Sequence, residues 1–367
     1  MSRPKLWIAA ALCGSLLFAF RFPAARVAFR PADGSTVQKT FETTWDLSLE
    51  DLYVVVMGEE IDPSLMGDPQ VEFSYWTEVA VSDEYVSVAD GRPVRLRRAF
   101  DSIAGQQVFS VSADELDEEA MEFEMTSELE GAEVLFSWDE DDEEYGVAYA
   151  GEDDRDEDLL AGVWEDMDLR GFLPDGEVSE GDSWEIGSGA LAAAFLPGGD
   201  LALLPDMDAL DVDDEFMTLM EEFEERFQDR FQELYESIFE GETTGTYEGT
   251  RDEDGVEVHV LAIEVQVDST TDFAEIVMEI IQAVAEEEGV GDEVDIDVET
   301  ADVSFELEGE GELLWDAQAH RVHAFKLETE VVALVALAIA GEIDGELGEF
   351  ELEVELGGEV GAAVTVE

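Results

Sequence analysis

Residues 211–240 read DVDDEFMTLMEEFEERFQDRFQELYESIFE. Aromatic residues recur at every fourth position, Phe223, Phe227, Phe231, Tyr235 and Phe239, and Phe216, Leu219, Met220, Leu234 and Ile238 broaden the line into a face. That spacing predicts an amphipathic helix, on the order of 40 Å long. Asp211, Asp213 and Asp214 suit its positive end, and Gly241 offers a stop. So large an aromatic face needs a partner, and the strand-rich remainder of the chain supplies one. As core, the stripe packs the helix against a curved sheet. As a site, the same five aromatic residues line an apolar cleft that holds a lipid or other hydrophobic small molecule.

Outward from that helix the pattern is of strands. Phe350-Glu-Leu-Glu-Val-Glu-Leu356 alternates apolar and acidic residues, and Ala120 to Leu129 sets Met121, Phe123 and Met125 against Glu122 and Glu124. Such segments are half-buried antiparallel strands. Candidate strands also run over Thr36 to Leu47 and Leu52 to Met57. Ala89-Asp90-Gly91 and Asp252-Glu-Asp-Gly255 mark hairpin turns. Val331 to Ala340 is apolar on both faces, which suits a central buried strand. Leu159 to Met167 reads as a short amphipathic helix, and Leu191 to Pro205 as a packed loop. Phe273, Ile276, Val277, Ile280 and Val284 have helical core spacing, with Asp272 and Glu275 as a capping box. The expected class is α+β: antiparallel sheet, in half-barrel form, on one long helix with one or two shorter ones. The divisions are a signal peptide over 1–25, a short lead over 26–34, a mainly β region over 35–210, the helix over 211–241 and a β-rich region with one helix over 242–367. The two β regions form one domain or two halves hinged near Gly241 to Gly245.

Arg3, Lys5, the apolar run Leu6 to Phe20 and Pro23-Ala24-Ala25 have the layout of a secretory signal peptide. A retained anchor is the rival reading, although the run is short for a bilayer. Leu12 precedes Cys13 where lipidation wants a small residue. Cleavage after Ala25 removes the single cysteine and three of the 17 basic residues but no acid, so the charge moves from −79 to 14 − 96 = −82. With 46% hydrophobic residues this is a folded protein with an acidic coat, not an acidic tail. The coat repels nucleic acid and anionic lipid and calls for counter-ions, as in proteins of salty or marine habitats. Localisation is expected in the periplasm or outside the cell, with no integral span in the mature chain.

Three constellations carry possible chemistry. Asp154, Asp156, Asp158 and Glu165 match acid positions 1, 3, 5 and 12 of an EF-hand loop, but Leu159 stands where that loop needs glycine. A divalent cation there would be adventitious, and no cofactor is expected. Arg92, Arg95 and Arg97, with Arg98, form an anion site or neutralise neighbouring acidic strands. His259, His320 and His323 show no nucleophile–base spacing, and Ser183 in Gly-Asp-Ser-Trp does not sit in a nucleophile elbow.

Leu173-Pro-Asp-Gly-Glu-Val-Ser-Glu-Gly-Asp-Ser-Trp-Glu-Ile186, with Gly311-Glu-Leu-Leu-Trp-Asp316, resembles a class of exported bacterial proteins with an antiparallel β fold, some of them lipoproteins similar to the lipoprotein-carrier half-barrels. The resemblance implies an envelope or secreted location and a sheet-plus-helix fold, and carries no catalytic residues. The expected function is a non-enzymatic envelope binding or structural protein that holds an apolar ligand. A calcium-binding acidic matrix protein and a carboxylate-dependent hydrolase are the alternatives.

Overall fold

The computed structural model describes residues 24–67, 69–113, 116–151, 154–205, 238–278, 281, 295–343 and 346–367. These residues build one fourteen-stranded sheet, antiparallel throughout. Its strands are β1 (Ser35–Val56), β2 (Glu59–Ile61), β3 (Gln70–Ala89), β4 (Arg92–Ala113), β5 (Leu116–Thr126), β6 (Glu133–Asp139) and β7 (Glu144–Tyr149), then β8 (Ser183–Ile186), β9 (Leu204–Pro205), β10 (Gly241–Glu253), β11 (Val256–Asp272), β12 (Asp295–Asp316), β13 (Val322–Ile343) and β14 (Glu346–Val366). The main path runs β7-β6-β4-β3-β1-β14-β13-β12-β11-β10-β8. The first and last long strands pair along the middle, from Lys39↔Val366 to Val56↔Phe350, so one sheet carries both halves of the chain.

Local chemistry explains the strands and their turns. Alternating residues leave an apolar inner row and a carboxylate outer row on β14, while Asp90 and Gly91 both have positive φ (51° and 78°), as do Asp254 and Gly255 (51° and 90°). That is the geometry two-residue hairpins demand. Glu50 is bulged between Leu49 and Asp51, so what reads as two strands is a single β1 of 22 residues, about 70 Å long at 3.3 Å per residue. Gly358 lies on the inner side of β14, where an added Cβ would stand 1.9 Å from the Asp46 carbonyl oxygen. No side chain fits there.

The expected α+β class is overturned. Among the described residues strand dominates, and the one α-helix that reaches eight residues is α1 (Ser188–Phe195), inside the segment expected to be a loop. Residues 206–237, with Phe223, Phe227, Phe231 and Tyr235, lie outside the described residues. Phe239 is described: it is buried and stacked on Phe195, with ring centroids 5.6 Å apart. The described core of the sheet is instead filled by the irregular chain from 157 to 201. The helix expected over Leu159 to Met167 is a 3-10 turn (Glu157–Leu160) running into irregular chain with turns and one isolated bridge, Val163 to Gly199, because its acids are drawn into ion pairs described below. The second helix does start as expected: residues 274–278 are helical and Asp272 accepts the Ala274 N–H at 2.8 Å.

The sheet curls around this filling. Phe29 packs edge-on against Tyr85 of β3 and Trp315 of β12, with centroids 5.5 and 6.4 Å away, so those two rings lie within about 12 Å. Four strand steps separate β3 from β12, about 19 Å if the sheet were flat. The lead over 26–34 is a strap across the inner face: Val27 and Phe29 are core residues, Ala25 exchanges two backbone hydrogen bonds with Val178 (2.7 and 2.8 Å), and the Arg30 N–H reaches the His320 carbonyl at 3.0 Å. No helix among the described residues is long and apolar enough to cross a membrane.

Candidate functional site

The inner face has two unlike halves. In the first, near the 157–201 filling, a cluster of charges is sealed into the core. Register places Val37 of β1 opposite Asp83 of β3, and Asp83 opposite Arg98 of β4, so these side chains share the inner side with the apolar core. Lys39 Nζ contacts Asp83 Oδ2 at 2.8 Å and Asp168 Oδ1 at 2.6 Å, and donates to the Met167 carbonyl at 3.1 Å. Arg98 grips Asp83 with Nε and Nη2 (2.7 and 2.8 Å) and donates to the Trp164 and Glu165 carbonyls, both at 3.0 Å. The Tyr85 hydroxyl donates to Asp168, and Arg170 pairs with Glu165 and Asp166. Three strands thereby hold one irregular segment by its backbone carbonyls and its acids together.

Electrostatics follow from the burial. Desolvation works against ionised Asp83, but Arg98 and Lys39 overcome it and bring its pKa down to about 2. Glu165 lacks that support. Burial pushes its carboxyl up to about 7, against a partial offset from Arg170, and its Oε1 has no hydrogen-bond partner. Three cations (Lys39, Arg98, Arg170) face four acids (Asp83, Glu165, Asp166, Asp168), so a proton on Glu165 makes the cluster neutral. A carboxyl titrating near neutrality is what acid–base catalysis uses. Here it is only 6% exposed and enclosed by its own ion pairs, out of a substrate's reach. The cluster fastens the fold.

The second half lies beyond Trp45. Cross-strand register lines up Met121, Phe109, Phe73 and Leu47 in one inward row across β5, β4, β3 and β1. Leu49, Leu356, Ala333 and Phe305 make the next row, and Leu52, Val354, Val335 and Val303 the one after. Val54, Leu352 and Leu337 follow, then Val56, Phe350 and Ile339. Rows of the first half are buried, with Phe41, Val79, Leu327 and Val360 at 3% exposure or less, whereas most of these are half-buried and Val56 and Met121 are 42% and 51% exposed. Among the described residues no element packs over them in the way that 157–201 covers the first half. The result is an apolar inner surface several strands wide.

The residues singled out in the sequence are placed as follows. Asp154, Asp156 and Asp158 are on the surface, Asp156 capping the 3-10 turn through the Asp158 N–H at 3.1 Å, while Glu165 is inside with Arg170. The four do not converge, and no group of three or more metal-ligating side chains stands together among the described residues. Arg92 stacks over Trp138 with its guanidinium 4.1 Å from the ring centroid, Arg97 faces Glu84 at 3.4 Å, and Arg95 is exposed opposite Ser137. They are separate surface contacts, not one anion site. Arg98 turns to the other side and is fully buried. His259 accepts or donates a 3.0 Å hydrogen bond with Tyr247, and Ser183 pairs with Thr246 at 2.9 Å across β8 and β10.

Sequence reasoning missed Lys39, Asp83, Tyr85 and Asp168. The one available signal was a Lys and an Asp at strand positions whose neighbours two residues away are apolar. Of the expected ligand-lining aromatics, Phe239 belongs to the core. Among the described residues the half-exposed apolar rows contain Phe73, Phe109, Phe305 and Phe350, and the other four aromatics of the stripe lie outside the described residues. No protein-family model matches this chain, and no curated protein is detectably similar to it.

Proposed function

We propose that this is a non-catalytic exported binding protein that shelters an apolar chain on the open half of its inner sheet face. One observation supports the reading above all: a single inner face, continuous in register, is packed shut at one end and left half-exposed and apolar at the other. Contiguous apolar surface of this extent marks an interaction or ligand site in water-soluble folds. Phe350 to Leu356 extends about 20 Å, comparable with one leaflet of the ~30 Å hydrocarbon core of a bilayer, so a lipid-length chain fits along it. The sealed charge cluster has the complementary role of holding the closed end rigid while the open end exchanges its guest. Export is proposed from the leader-like residues 1–25.

Native mass spectrometry of protein purified from its own source, without detergent, tests the reading. A mass excess of a few hundred daltons that is lost on denaturation and extracts into organic solvent supports it. Protein that is ligand-free by this measure and takes up no lipid from extracts of the same cells contradicts it.

A further inference from the structure

We propose that the guest of the open half is a cationic amphiphile, one apolar chain bearing an amine or quaternary ammonium head. This inference rests on the binding reading above and adds the charge of the head group. The segments that build this half, residues 47–75, 105–126, 295–308 and 331–358, contain no Lys and no Arg. The cations of the inner face, Lys39, Arg98 and Arg170, are locked into ion pairs under the sealed half. At the far end Glu59 pairs with Val56 and so stands on the same side of the sheet, in one row with Val56 and, two strands away, Phe350. On the opposite side of β14, Glu351 and Glu353 alternate with the inward Leu352 and Val354 and are exposed.

Hydrophobic contact along the strands is indifferent to the head group, so the charges at the mouth decide between otherwise equal chains. A carboxylate or phosphate head arriving there meets Glu59 and the field of the carboxylates on the sheet's other side, and the described segments that build this half hold no Lys or Arg to pair it. An ammonium head gains from the same field, and the gain shrinks with salt because the Debye length falls from about 10 Å at 0.1 M to about 3 Å at 1 M. The pattern at the mouth is thus complementary to a cation joined to an apolar chain.

The test is calorimetric titration of the full chain, in 0.1 M salt and below micelle formation, with dodecyltrimethylammonium, dodecyl maltoside, dodecanoate and chain-free tetramethylammonium. The expected result is saturable binding of dodecyltrimethylammonium at least tenfold tighter than of the maltoside, with dodecanoate weaker still and tetramethylammonium silent. The advantage should narrow in 1 M salt, and Leu337→Gln should weaken both chain-bearing binders. Equal affinity for the three amphiphiles, or a preference for dodecanoate, overturns the cation assignment and leaves the binding reading standing. Binding of tetramethylammonium as tight as of the amphiphile, or amphiphile binding untouched by Leu337→Gln, shows adsorption to surface carboxylates and also overturns it. Failure of all three amphiphiles contradicts the binding reading itself. If Leu337→Gln does not fold, the nearly isosteric Val335→Thr serves the same purpose.

Discussion

Arg98 and Asp83 face each other across β4 and β3 as a two-pronged pair, Nε on Oδ1 at 2.7 Å and Nη2 on Oδ2 at 2.8 Å, with neither side chain open to solvent. The same guanidinium reaches over to the carbonyls of Trp164 and Glu165. A lysine has no flat fork with which to satisfy four acceptors at once. Replacing Arg98 by Met leaves Asp83 with Lys39 alone and should cost about 3–5 kcal/mol, the usual penalty for breaking a buried pair from one side. Arg98→Lys should recover less than half of that loss. Urea unfolding of the two variants measures both, and a cost below about 1 kcal/mol for Arg98→Met would show that the pair does not fasten the segment.

Glu165 gives the cluster a pH dependence of a definite sign. In the unfolded chain its carboxyl loses a proton near the ordinary 4.5, and in the folded protein near 7. Between those values the folded state holds a proton that the unfolded state has lost, so this residue's contribution is complete below pH 4.5 and declines as pH rises through 7. The full decline is about 3 kcal/mol, at ~1.4 kcal/mol per pKa unit. Glu165→Gln should therefore be no more stable than wild type at pH 4.5 and more stable at pH 8. Asp83 works in the other direction at lower pH. Its pKa is depressed, so its contribution is lost only as pH falls from about 4 through 2. Parallel stability–pH curves for wild type and Glu165→Gln between pH 5 and 8 would sink the assignment.

Salt should stabilise the whole fold. With 96 acids against 17 bases, carboxylates such as Glu351, Glu353 and Glu359 stand at alternate positions along one strand with few cations near them. Moving from 0.01 to 1 M salt cuts the screening length from about 30 to about 3 Å. The melting temperature should climb by ten degrees or more over that range, for sodium and potassium chloride alike. A flat profile in differential scanning calorimetry contradicts this. A rise with calcium alone, at millimolar levels, would instead favour a specific cation site.

Much of the sheet was legible because its signals are local. Asp90-Gly91 and Asp254-Gly255 announce their turns by the residues that tolerate positive φ, and Phe350 to Leu356 announces a strand by strict alternation. The bulge at Glu50 was not legible, since no glycine or proline marks it and the apolar pattern merely changes phase. Nor could the filling of the core be read. Leu159, Leu160, Val163 and Met167 have helical spacing, but Arg98 and Lys39 bind the carbonyls of Trp164, Glu165 and Met167 and hold that stretch against the sheet in a non-helical course. Those donors lie 66, 67 and 128 residues away in the chain, beyond any window of periodicity. The aromatic stripe at 211–240 outweighed the strands in the sequence reading because its period is so regular, although regularity says only that a face is apolar and not what it covers. The open half of the inner face was hidden for a related reason: Leu47, Phe73, Phe109 and Met121 form a row only once four strands are in register.

The most direct test of the account is titration with N-phenyl-1-naphthylamine, an uncharged dye that brightens in apolar surroundings, followed in the wild type, in Leu337→Gln and in Leu352→Gln. The account predicts saturable brightening with one dye per chain, weakened severalfold or more by either substitution while the melting temperature changes little. Brightening that never saturates, or that is indifferent to both substitutions, would contradict the claim that the half-exposed rows of this sheet are a binding surface.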